Sequence, residues 1–154
     1  MRVREKSAAD QAWIEALLAE SWGSTEVVFG GASYAAHRLP AWIAGDRQGL
    51  ATYHLAERAD LVTLDAVVPG RGIGTALVQA LADHLRAAGW PALHVSTTND
   101  NLDALRFYQR RGFRLKAVYP GAIDQARRLK PTISQIGHFG IPIRDEIELV
   151  MAFG

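Results

Sequence analysis

Residues Leu61 to Leu85 constrain the chain most, because the hydrophobic period changes within them. Leu61-Val62-Thr63-Leu64-Asp65-Ala66-Val67-Val68 is apolar and β-branched enough for a largely buried strand. Pro69-Gly70-Arg71-Gly72-Ile73-Gly74 breaks it, and Ile73, Leu77, Ala80, Leu81 and Leu85 then fall at helical spacing, predicting a helix from Ile73 to Ala88. A glycine-rich turn into a helix leaves the first backbone N–H groups without acceptors, at the positive end of the helix dipole. Such a turn suits a phosphate or pyrophosphate. A P-loop needs a lysine after its last glycine, and none follows Gly72 or Gly74. A dinucleotide fingerprint, G-x-G-x-x-G, fails at Thr75 when counted from Gly70 and at Leu77 when counted from Gly72. A ligand-free connection stays open on the loop alone.

A second block runs from Thr97 to Phe113, Thr-Thr-Asn-Asp-Asn-Leu-Asp-Ala-Leu-Arg-Phe-Tyr-Gln-Arg-Arg-Gly-Phe. Asn99 or Asp100 is suited to cap a helix here, and Gly112 to end it in the left-handed conformation. Asn101, Ala104, Leu105 and Tyr108 share one helix face. Gly70-Arg71-Gly72-Ile73-Gly74-Thr75-Ala76-Leu77 resembles the pyrophosphate loop of the GNAT superfamily of acetyl-CoA-dependent N-acetyltransferases, and the second block resembles that superfamily's helix with an Asn, an Ala and a Tyr on one face before Gly-Phe. The two blocks stand in the family's order. The tail, with Lys130-Pro131 and Arg144-Asp145-Glu146-Ile147-Glu148-Leu149, resembles a GNAT subgroup with no defined acceptor.

Composition agrees with an ordinary globular chain. The 154 residues fit one domain over 1–154, a size that buries about 68–70% of its unfolded surface. With 49% hydrophobic and 21% charged residues and a net charge of +1, nothing draws the chain to nucleic acid or membrane. The absence of Cys excludes disulfides and thiolate chemistry, and fits a cytoplasmic location. No apolar run reaches the length of a membrane span, and Met1 to Lys6 leads into no signal-peptide core.

Read in order, Met1 to Lys6 is a short strand and Ala8 to Trp22 an amphipathic helix capped by Ser7. Thr25 to Leu39 is the least readable stretch; Val27-Val28-Phe29 reads as a strand stopped by Gly30 and Gly31. Pro40 to Gly45, Leu50 to Leu55 and the Leu61 strand make an antiparallel meander. The Ile73 helix crosses to a strand at Ala92 to Thr97, a right-handed parallel unit. Phe113 to Tyr119 is a strand, Ala122 to Leu129 a short helix, and Ile141 to Phe153 a last strand. Its alternation puts Ile147, Leu149, Met151 and Phe153 on one face and Glu146 and Glu148 on the other. The expected fold is therefore α/β (α+β): a GNAT-like mixed, mostly antiparallel twisted sheet of about 6–7 strands, with helices on both faces and a central parallel strand–helix–strand unit.

The resemblance implies acetyl-CoA as cosubstrate and an amine, small or peptidic, as acceptor. Gly70, Arg71, Gly72, Ile73, Gly74 and Thr75 would hold the pyrophosphate, and the pantetheine arm would pair with backbone at Val67 and Val68. The N–H near Val67 would polarise the thioester carbonyl. Asn101 would contact the cofactor, with a helix cap or turn as its other reading, and Tyr108 would protonate the leaving thiolate, with a core Tyr as its other reading. Pro69 departs from the family's usual Gln or Arg and removes one N–H. An alkyl ammonium of pKa about 10.4 loses its proton at pH 7 at a cost of about 4–5 kcal/mol, so a base is wanted. Asp65, the one acid inside the strand before the loop, is a candidate, with a structural hydrogen-bonder as its other reading; Glu146 and Glu148 on the last strand are rivals, with a solvated sheet face as their other reading, and Glu57 and Asp60 read as solvated. His54, His94 and His138 are further candidates. No pair of histidines has metal-ligand spacing, so no metal is expected. Arg106, Arg110, Arg111 and Arg114 read as a solvated helix end or as contacts to the nucleotide 3′-phosphate. A non-catalytic acyl-CoA-binding module of the same fold is the alternative function. The family also admits a homodimer.

Overall fold

The computed structural model describes residues 1–154. The chain divides into two compact units, one of Met1–Val27, Ala35–Leu93 and Phe153–Gly154, the other of Val28–Tyr34 and His94–Ala152.

The first unit holds the strands β1 (Val3–Glu5), β4 (Ala41–Ala44), β5 (Gly49–Leu55) and β6 (Ala59–Ala66), in that spatial order. All three pairings are antiparallel, with a register shift between Thr52 and Tyr53. The meander is as expected, but β6 starts two residues earlier than the sequence suggests and stops at Ala66. Val67 and Val68 lie beyond it, 51% and 40% exposed. Asp60 thus stands inside a strand, buried and 3.1 Å from the Arg58 guanidinium, where the sequence suggested a solvated turn. Helix α1 (Gln11–Trp22) is preceded by a short 3-10 turn over Ala8–Asp10 rather than beginning at Ala8. Helix α2 (Ile73–Ala87) buries Ile73, Leu77, Val78, Leu81, Ala82 and Leu85. That stripe, with Ile14, Leu18, Ile43 and Leu50, is the core of this unit. Each such Leu or Ile contributes roughly 1.5–3 kcal/mol by leaving water.

The second unit carries a hairpin of β2 (Glu26–Phe29) and β3 (Ala32–Ala35), whose first residues and last lie at the boundary with the first unit. Gly30 and Gly31 have φ of 58° and 77°, the two left-handed residues that a two-residue turn needs, and Phe29 stacks on Tyr34 across it at 4.5 Å. β7 (Ala92–Thr98), β9 (Glu146–Ala152) and β8 (Arg114–Tyr119) follow in that spatial order, β8 and β9 being antiparallel. Helices α3 (Leu102–Arg110) and α4 (Ala122–Leu129) complete it. The last strand is shorter than expected because Ile141–Asp145 bonds elsewhere: Ile143 N–H to Gln135, and the Arg144 carbonyl to the Ile123 N–H. The mixed α/β content, seven mainly antiparallel strands besides the hairpin, is the expected one.

Candidate active site

The glycine-rich loop leaves β6 and enters α2 through two left-handed glycines, Gly70 (φ 77°) and Gly72 (φ 72°). Gly72 is the N-cap residue, and the first intrahelical bond runs from the Ala76 N–H to its carbonyl at 3.0 Å. The amides of Ile73, Gly74 and Thr75 have no carbonyl one turn earlier inside the helix, so they sum with its 15-residue dipole. A Cβ built on Gly70 or Gly72 meets nothing within 4 Å, so the space beside these two glycines is open. An anion fits such a cradle. One expected donor is otherwise engaged: the Val67 N–H donates to the Gln48 carbonyl at 2.8 Å. Pro69 supplies none.

Asp65 lies near the end of β6. The Trp22 indole N–H donates to both its oxygens, at 2.9 and 3.2 Å. Burial pushes the Asp65 carboxyl above its ordinary value, and the bonds from Trp22 and Ser21 offset part of that. Asp65 is therefore both a hydrogen-bonder and a group whose charged form is disfavoured.

In the second unit Asn101, not Asn99 or Asp100, caps α3: its side-chain oxygen accepts from the Ala104 N–H at 3.2 Å. Asn99 instead bonds Pro142, Arg144 and Asp145, and buried Asp100 accepts from Thr98 and from the His138 N–H. These two residues tie the 135–145 segment to the start of α3 instead of capping it. Tyr108 is 8% exposed, with its ring edge-on to Phe113 at 5.2 Å. Asp103, Arg106, Phe107, Arg110 and Arg111 line a surface cavity of about 470 Å³, where the Arg111 guanidinium stacks 3.8 Å over the Phe107 ring. Arg114, on β8, is not among its lining residues.

The reading of Glu146 and Glu148 as a solvated sheet face is overturned: they are only 6% and 2% exposed. Glu146 accepts from the Gly30 N–H with both oxygens, at 3.0 and 3.2 Å. Glu148 accepts from the Tyr119 hydroxyl at 2.6 Å, contacts His94 Nδ1 at 3.0 Å and lies 3.8 Å from Lys116 Nζ. Tyr119 and Lys116 were not singled out by sequence. The available signal was the pair of acids at i and i+2 beside strands carrying His and Tyr. No group of three or more His, Cys, Asp or Glu side chains is placed to hold a metal, and no helix is long and apolar enough to cross a membrane.

Residues 31–113, which contain both sequence blocks, match the acetyltransferase (GNAT) family. This chain belongs to that family. A relative, the uncharacterized protein YdhI of Bacillus subtilis (strain 168), is 37% identical over 134 residues, covering 84% of each chain. Among solved structures, the IAA acetyltransferase from Bacillus cereus superposes with a TM-score of 0.73 at 21% identity, covering 99% of this chain and 100% of that one. A Bacillus subtilis acetyltransferase in complex with CoA gives 0.69 at 17% identity, covering 99% of each. At those identities the likeness shows the GNAT fold. The matched range includes the loop opening α2 and the whole of α3.

Proposed function

We propose that this GNAT protein transfers an acetyl group from acetyl-CoA to a primary amine by direct attack. The observation that carries the reading is the open loop with two left-handed glycines at the head of α2, in a chain of this family. The CoA and acetyl-CoA bound in the Bacillus subtilis structure and in a GNAT acetyltransferase from Elizabethkingia anophelis support it. Acetyl-CoA, when bound, supplies an activated acyl group. Gly70, Arg71, Gly72, Ile73, Gly74 and Thr75 hold its pyrophosphate with amides and one guanidinium; Val67 and Val68 backbone lies along its arm, and the Val68 N–H polarises the thioester carbonyl. The side chain of Asn101, its oxygen already fixed by the cap, offers its NH₂ to the cofactor. Arg106, Arg110 and Arg111 face an anionic group such as the 3′-phosphate. Tyr108 donates a proton to the leaving sulfur. Asp65 and Glu146 are the carboxylates available to the amine proton. The acceptor is a small molecule or a peptide, the whole chain works as one cytoplasmic domain, and an exposed sheet edge leaves room for a homodimer.

The test is calorimetric. Wild-type protein binds acetyl-CoA, and Gly72→Glu, which sets a negative charge at the helix head where space is open, does not. At 100 times its Kd the cofactor raises stability by about 2.7 kcal/mol. Binding without coenzyme A release across an amine panel would favour the non-catalytic module instead. Absence of binding would overturn both.

A further inference from the structure

Carboxylates drawn out of water differ here in what neutralises them. Asp10 stands 2.8 Å from Arg4 and 3.2 Å from Arg47, Asp60 stands 3.1 Å from Arg58, and Glu148 lies beside His94 and Lys116. Asp65 has only uncharged donors, the Trp22 indole N–H on both oxygens and Ser21. A partly buried carboxylate is costly unless a positive charge offsets it. No Lys or Arg stands in α1, β5 or β6; the charged and titratable groups there, besides Asp65, are Glu15, Glu20, His54 and Asp60. The elements that build the Asp65 site thus supply no cation of their own.

We propose that Asp65, held in place by Trp22, is the subsite that receives the positively charged group of the acceptor; this rests on the transferase reading above. Its position suits that role. Asp65 pairs across the ladder with Leu50, and Ala66 with Gly49. The Val67 N–H prolongs the ladder by its bond to the Gln48 carbonyl. Alternation therefore runs on through Val67 and puts the Asp65 and Val67 side chains on one face, about 7 Å apart along the strand. Val67 is where the acyl arm is proposed to begin its course beside the backbone. The carboxylate and the cradle also share a packing partner. A Cβ on Gly49 would overlap Ile73 Cγ2, at the head of α2, and come within 3.0 Å of the Asp65 carbonyl. Trp22, Asp65, Val67 and the whole glycine loop belong to the first unit.

The donor set leaves the carboxylate able to bind. An ionised carboxylate offers about four lone-pair positions, and Asp65 accepts from one indole N–H and one hydroxyl. The N–H groups of an ammonium can fill the rest. Because the indole N–H reaches both oxygens, at 3.2 and 2.9 Å, it fixes the plane of the carboxylate, which makes Trp22 a positioning residue. Trp22 closes α1 and is 37% exposed, so the pair stands at the surface of the unit and not deep inside it. Burial pushes the Asp65 carboxyl up, and an arriving cation offsets that penalty. An alkyl amine, free or on a peptide side chain, meets an unopposed negative charge. An α-amino acid brings its own carboxylate next to the ammonium and is repelled. The acceptor class is therefore a cationic amine with no carboxylate beside its nitrogen.

The test uses a cation that keeps its proton. In protein saturated with coenzyme A, the ¹H–¹⁵N indole signal of Trp22, assigned by its loss in Trp22→Phe, should shift saturably with N-propylguanidine, which stays charged at neutral pH. Uncharged N-propylurea should leave it in place. In Asp65→Asn, which keeps an oxygen for Trp22, the apparent Kd for N-propylguanidine should rise at least about tenfold, with calorimetric acetyl-CoA affinity unchanged. In steady-state kinetics the same variant should raise the KM of an accepted alkyl amine at least about tenfold, and Trp22→Phe should raise it several-fold. The absence of a saturable shift, an equal response to N-propylurea, or a Kd and KM that Asp65→Asn leaves unchanged overturns the proposal alone. A wild type that takes N-propylguanidine at Asp65 but releases no coenzyme A with any amine overturns the transferase reading, and with it the assignment of that cation to an acceptor.

Discussion

Two buried carboxylates, one in each unit, are built for opposite purposes. Asp10 is 1% exposed and Glu148 2%. Asp10 receives the Arg4 guanidinium on both oxygens at 2.8 and 2.9 Å, Arg47 at 3.2 Å and the Ser7 N–H at 2.9 Å. The Arg4 bond above all, then the Ser7 N–H, holds its carboxyl well below the usual carboxylate range. Guanidinium does not release its proton at any pH a protein meets. Glu148 is instead ringed by a phenol, an imidazole and one distant ammonium, all of which exchange protons. Permanent donors make a clamp that ties β1 to the start of α1. Exchangeable donors make a group that can take part in proton transfer. Burial alone does not separate the two; the chemistry of the partners does.

The largest effect that sharpens this contrast is at Asp10. Asp10→Ala should cost about 2–3 kcal/mol in urea unfolding, because it strands Ser7 and two arginines that are themselves partly exposed. Acetyl-CoA binding by the folded fraction should be unchanged. The pH dependence follows from the lowered pKa: the stabilisation is complete above the unfolded value of about 3.9 and is lost as pH falls below it. An Asp10→Ala variant as stable as wild type would remove the clamp side of the comparison.

Next in size is Gly49→Ala. A Cβ there would overlap Cγ2 of Ile73 and come within 3.0 Å of the Asp65 carbonyl and of Leu77 Cδ1. The overpacking should cost about 1–3 kcal/mol. Because Ile73 opens α2, acetyl-CoA affinity should fall with it. A Gly49→Ala variant that binds acetyl-CoA like wild type would show that the start of α2 tolerates the added methyl group.

Much of this was legible in the sequence where local chemistry decides. The Gly70 to Leu77 loop, the meander and the Ile73 helix rest on period and glycine, and all three stand as read. For the β2–β3 hairpin the sequence shows Gly30 and Gly31 stopping the Val27 strand, and the structure adds that these two consecutive glycines between short β-runs make the turn. A cap is one of the two sequence readings of Asn101, and the structure takes it in place of Asn99 or Asp100, because those two bond the distant 135–145 segment, which no local pattern encodes. Glu146 and Glu148 alternate as expected, yet their burial depends on Tyr119 and His94 from other strands and on a register shift between Leu115 and Ala117. Sequence gives the face a side chain takes, and only the fold gives what covers it.

Tyr119→Phe probes the exchangeable ring more gently. It deletes the 2.6 Å hydroxyl donor to Glu148 and should cost about 1 kcal/mol in stability. With Lys116 and His94 still beside Glu148, acetyl-CoA binding should be unchanged. A Tyr119→Phe variant as stable as wild type would show that the phenol adds nothing to the Glu148 side of the comparison.

The smallest expected effect, at Asp65, is also the most direct challenge to the contrast. Asp65 belongs to neither class: its partners, the Trp22 indole and Ser21, are neutral, and burial raises its pKa. The folded state therefore holds the Asp65 proton more tightly than the unfolded chain does. Stability contributed by the protonated form is full below about pH 3.9 and declines as pH rises through the folded value, so at neutral pH the ionised side chain is a liability. Asp65→Asn keeps an oxygen for Trp22 and removes the buried charge. It should raise stability at pH 7 by less than about 1 kcal/mol, with the gain vanishing near pH 3. Turnover decides what the raised pKa is for. If Asp65→Asn keeps kcat and the acceptor KM, the aspartate is a tolerated strain at the strand end, and the amine proton goes elsewhere. If it abolishes kcat while acetyl-CoA still binds, a carboxylate with an uncharged partner is the base, and exchangeable partners around Glu148 serve only to fill the second unit's interior.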